Sequence, residues 1–109
     1  MTFDPAELAK RFRDDGLAWA EKNCAADMLE ETRRTLRSQI ALKFLPDAGS
    51  VSKAEMTAEA TAEYIEHVKA MVIARKDANR AKVQYDADRA FIDLVRSQES
   101  SRRAEMNMR

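Results

Sequence analysis

Two six-residue stretches begin helices in the same way, and together they leave this chain few folds to choose from. They read Phe3-Asp4-Pro5-Ala6-Glu7-Leu8 and Val51-Ser52-Lys53-Ala54-Glu55-Met56. Asp4 and Ser52 carry side-chain oxygens that can accept hydrogen bonds from the orphan amides of a first helical turn. Glu7 and Glu55 follow three residues later, the spacing of a capping box. Phe3 with Leu8, and Val51 with Met56, stand where a hydrophobic staple would clamp each start. Pro5 is a favoured first helical residue. The expectation is an all-α chain folded as an antiparallel hairpin of two long helices, about 5–45 and 53–106, in a single domain spanning 1–109. Pro46 disfavours helical geometry at Leu45 and ends the first helix, and 46–51 forms the turn. The second helix meets no breaker. Within the first, Asp14-Asp15-Gly16 predicts a kink, because glycine costs about 1 kcal/mol against alanine in a helix.

Composition agrees with this and excludes much else. Glycine and proline occur twice each in 109 residues, too few for a turn-rich β protein. The 19 basic residues balance 19 acidic ones, so no global field attracts DNA, a membrane or an acidic substrate. No segment offers the ~20 apolar residues needed to cross a bilayer. The N-terminus has acidic Asp4 and Glu7 and no apolar run, unlike a signal peptide. Cys24 is the only cysteine, so a reducing, cytoplasmic setting is expected.

Apolar residues recur at three- and four-residue steps, the mark of a helix with one buried face. Helix 1 offers Leu8, Phe12, Trp19, Ala26, Leu29, Leu36, Ile40 and Phe44. Helix 2 offers Met56, Ala60, Tyr64, Val68, Met71, Ala78, Ala81, Tyr85, Ile92 and Val95. Charge sets how the two faces meet. Folding the chain at residue 48 or 49 opposes residues whose numbers total about 97. Arg33, Arg34, Arg37 and Lys43 then face Glu55, Glu59 and Glu63. Asp15, Glu21 and Asp27 face the basic run Lys69, Arg75, Lys76, Arg80 and Lys82, while Lys10, Arg11 and Arg13 face Asp86 and Asp88. Exposed pairs contribute only a few tenths of a kcal/mol each, so this pattern selects register more than it stabilises.

A second apolar line remains on each helix. Helix 2 carries Ile65, Val72, Val83, Ala87, Ala90, Phe91 and Leu94; helix 1 carries Leu17, Ala20, Cys24, Met28, Leu42 and Leu45. One neighbour cannot cover both lines, and monomers rarely leave such a patch bare. A homodimer forming a coiled-coil-like four-helix bundle is expected, with Ile65, Val72, Val83, Phe91 and Leu94 as its interface. Beyond residue 95, helix 2 overhangs helix 1 as a basic tail, 96–109. Its Arg96, Arg102, Arg103 and Arg109 form the candidate contact for a partner or for nucleic acid.

Sharper chemistry finds little support. His67 follows Glu63 by one turn, but a di-metal bundle needs Glu-x-x-His from two helices, and this is the only histidine. Cys24 has no evident base near it in sequence, so a small packing residue is the simpler reading. Trp19 and Tyr85, brought within reach across the hairpin, are read as core anchors rather than a ligand cage. No cofactor or metal is expected, and no catalytic residue. The architecture invites comparison with secreted helical hairpins that carry a Trp-x-Gly turn, but the turn here reads Pro46-Asp47-Ala48-Gly49. The C-terminal third, Ala78 through Asp86 and Arg96 through Met106, resembles small all-helical proteins encoded by phages and prophages. That resemblance implies an accessory role and no mechanism. The reading is a non-enzymatic scaffold or adaptor acting through self-association. The alternative is a nucleic-acid-associated accessory protein of recombination or replication using the arginine tail.

Overall fold

The computed structural model describes residues 4–108 and contains three helices, α1 (Pro5–Ala48), α2 (Val51–Glu59) and α3 (Ala62–Asn107). They make an extended hairpin of 85 × 21 × 16 Å. One arm is α1; the other is α2 followed by α3, each packed along α1. Asp4 caps α1, its Oδ1 accepting from the Ala6 amide at 2.9 Å. Phe3, the expected staple residue, lies outside the described residues.

The turn is shorter than expected. Pro46 sits inside α1, which continues to Ala48. A proline this close to a helix end removes one hydrogen bond but has little helix left to disrupt. Gly49 ends α1 in the left-handed region, at φ 78°, where only glycine sits without a Cβ penalty. Ser50 then caps α2 from extended backbone, accepting from the Lys53 amide at 3.2 Å. The cap is therefore Ser50, not Ser52. Gly49 reverses the chain in one residue and delivers the very next one to the cap position.

The second arm is broken, against the expectation of one continuous helix. Thr61 adopts extended backbone and caps α3, its Oγ1 accepting from the Tyr64 amide at 3.3 Å. The same hydroxyl donates to the Ala58 carbonyl at 2.6 Å, so one threonine satisfies both the end of α2 and the start of α3. Threonine competes with the helix through such local bonds. By contrast, α1 runs unbroken through Gly16.

The fully buried residues of the seam are mostly alanine. Ala26, Ala41, Ala54, Ala58 and Ala78 are buried, with Ile40 the one large apolar side chain among them. At the closed end, Ile40, Ala41, Ala54 and Ala58 cluster with Leu36, Phe44, Ala48 and Tyr64 around them. Small side chains bring helix axes close, so most contact is made by the flanks of half-buried larger residues. The expected inward line of α1 is at least half-buried throughout. In the second arm, Met56 and Ala60 are exposed and Ala54 and Ala58 take their place, because the break at Thr61 rotates α2 relative to α3. Along α3 the inward positions repeat every seven residues, as Tyr64, Met71, Ala78, Tyr85 and Ile92.

Candidate interaction surface

Polar contacts between the arms follow the charge blocks. Arg37 pairs with Glu59 at 3.1 Å, a pair whose numbers total 96. Arg75 is the centre of a larger cluster. Its Nε donates to Glu30 at 2.9 Å, and Nη2 reaches Glu30 at 2.7 Å and Asp27 at 2.6 Å. Its Nη1 donates to the Asn23 side-chain oxygen at 2.8 Å. A guanidinium fork suits this multiple pairing better than an ammonium. Hydrogen bonding by Arg75 holds the Glu30 carboxyl below the usual carboxylate range. His67 donates from Nε2 to the Leu29 carbonyl at 2.8 Å, which assigns it a packing role within the hairpin.

The charge match is partial. Among the described residues Lys69 pairs only with Glu66 on its own helix, at 3.7 Å, and Lys82 lies over the Trp19 ring at 5.9 Å. Lys76 and Arg80 instead line an open groove with Met71, Val72, Arg75 and Val83. No ion pair joins Lys10, Arg11 or Arg13 to Asp86 or Asp88 among the described residues. Contacts near the turn total 96; toward the open end the single ring of Tyr85 spans totals from 97 with Phe12 through 101 with Gly16 to 104 with Trp19.

Toward the open end, Tyr85 enters a notch above Gly16. It meets Phe12 edge-on at 4.8 Å between ring centroids and Trp19 at 5.4 Å. Gly16 is therefore a close-approach site, since a Cβ there would stand 3.2 Å from Tyr85 Cε2. One turn further, Asp88 is buried at 4% exposure. Gln84 donates to its Oδ1 at 3.1 Å, while Oδ2 has no hydrogen-bond partner among the described residues. Asp15 faces it across the seam. Two ionised carboxylates cannot hydrogen-bond each other, whereas a protonated Asp15 can donate to Asp88. That hydrogen bond to Asp88, then burial and the Asp88 charge, raise the Asp15 carboxyl above the usual range, with Arg11 opposing.

A carboxyl raised in the fold stabilises it at low pH and loses that contribution as pH rises through the folded value. Asp88→Asn keeps the shape and removes one negative charge. The variant should melt above the wild type at pH 7, with the difference shrinking toward pH 3. Thermal denaturation followed by circular dichroism across that range checks this. A difference independent of pH would contradict it.

Outside the seam, both second lines are open to solvent. Ile65, Val72, Val83, Phe91 and Leu94 on α3 are all exposed, Val83 at 69%. On α1, Leu17, Met28, Leu42 and Cys24 are exposed too. Ile73, at 60% exposure, lies to one side of both apolar lines of α3. Val72, Val83 and Leu94 recur every eleven residues, three turns of a helix, and so form a nearly straight line. The tail is helical to Asn107 with every residue exposed. Arg96, Arg102 and Arg103 project from it without an ion pair among the described residues; Arg109 lies outside them.

Among the described residues, no helix is long and apolar enough to cross a membrane. No group of three histidine, cysteine, aspartate or glutamate side chains converges there as a metal would require. No family model, curated protein or solved structure matches the chain.

Proposed function

We propose that this protein is a non-enzymatic helical scaffold or adaptor that works by self-association and by presenting helix surfaces to other proteins. The observation that carries this reading is the division of labour between side chains. The residues fully buried in the seam are mainly alanine and its larger side chains are mostly only partly covered, whereas fourteen large apolar side chains among the described residues remain exposed. A chain selected to be solitary would use large apolar groups inside and polar ones outside. A cytoplasmic setting and an accessory role in a phage or prophage belong to the same reading.

Its test separates folding from assembly. Val72→Glu with Leu94→Glu places four charges on the outward line of a dimer and none in the seam. The double variant should remain helical by circular dichroism and sediment as a lighter species than the wild type. Equal masses would overturn the reading.

The second reading, nucleic-acid association, rests on Arg96, Arg102 and Arg103 standing exposed on one overhanging helix. It predicts a salt-dependent mobility shift of DNA or RNA that disappears when these arginines become alanine. No shift at low salt eliminates it.

A further inference from the structure

We infer that the second copy docks antiparallel along α3, with the two-fold axis passing beside Val83, so that each overhanging tail lies on the α3 start of its partner. This deepens the self-association proposed above and rests on it. Val72, Val83 and Leu94 form a straight line, all more than half exposed. An isologous contact must bring a line onto itself reversed. Centring it on Val83 sets Val72 of one copy against Leu94 of the other and Val83 against its own counterpart.

The charges favour this register over the one that sets Val72 against Val83. With Val83 central, residues opposite each other total about 166. Glu66 then comes beside Arg102 of the second copy. Shifting the centre so that Val72 opposes Val83 instead places Lys76 next to Arg80 of the other copy, a like-charge contact that disfavours it. The register also accounts for the overhang. The tail beyond residue 95 has no α1 opposite it within its own chain, and it extends over acidic Glu63 and Glu66 in the partner. The paired stretch runs from about 63 to 103, about 60 Å at 1.5 Å per residue. A strip that long and about 10 Å wide on each copy totals about 1,200 Å², above the roughly 1,000 Å² expected of a specific interface.

Single-cysteine cross-linking tests the geometry in a Cys24→Ser background, since Cys24 is exposed. Val83→Cys should oxidise readily to a covalent dimer. Ile73→Cys, comparably exposed but about 30 Å from its counterpart in this register, should not. A charge exchange tests the tail. Arg102→Glu alone and Glu66→Arg alone should each weaken dimerisation roughly tenfold, since the contact occurs twice by symmetry, and the double exchange should restore it. Equal cross-linking at 73 and 83, or no rescue by the double exchange, overturns the arrangement. A dimeric mass without the Val83 link removes this geometry alone; a monomeric mass removes the proposed self-association with it.

Discussion

Replacing Ala58 with leucine should cost about 3 kcal/mol or more and loosen the closed end of the hairpin. Ala58 has no solvent exposure and sits between Ile40, Ala41 and Ala54. Three further carbons have no space there unless α2 moves away from α1, and overpacking of this kind costs about 1–3 kcal/mol, occasionally more. The upper end applies because the surroundings are constrained from two sides. Thr61 ties the end of α2 to the start of α3 through Ala58's own carbonyl, and Gly49 fixes its beginning. A domain of this size has roughly 5–15 kcal/mol in total, so the variant should be visibly destabilised in urea denaturation. Ala58→Ser, nearly the same size, is the control and should lose far less.

The second large effect is expected at Tyr85. Truncation to alanine removes the ring that fills the notch over Gly16 and touches both Phe12 and Trp19. Burial of the aromatic body and its edge-on contact are lost together, for a cost of about 3 kcal/mol. The notch also supplies a compensating change. Gly16→Leu in the Tyr85→Ala background should recover part of the loss, since it fills the vacated space and adds helix propensity. In the wild type, Gly16→Ala should gain much less than the usual ~1 kcal/mol, because its Cβ would crowd the Tyr85 ring. Additive behaviour of the two substitutions would refute this contact.

These two sites also show what the sequence disclosed and what it withheld. The inward line of α1, from Leu8 to Phe44, was legible because a 3.6-residue period survives along an unbroken helix. The pairing of Arg37 with Glu59 and of Arg75 with Asp27 was legible from charge blocks of opposite sign. The role of Gly16 was not, since a glycine that admits a ring across the seam looks the same in sequence as one that permits a kink. Nor was the break at Thr61. It involves no glycine or proline, and the side-chain bonds that stabilise it compete closely with helix continuation. The cap at Ser50 was obscured by a better-looking capping box two residues on. The burial of Asp88 was hidden, because its charge assigned it to Lys10, Arg11 and Arg13 until its neighbours were placed. Of the candidate surface, the exposed line on α3 was legible as residues left over once one face had been assigned. The groove containing Lys76 and Arg80 was not, since both were counted as partners of acidic residues on α1.

Sedimentation equilibrium on the unmodified protein, from about 1 to 100 µM, bears most directly on the central claim that this hairpin exists to associate. The account predicts a mass near twice the 12.4 kDa of the chain, with dissociation only toward the dilute end. A mass of 12.4 kDa across the whole range would contradict it.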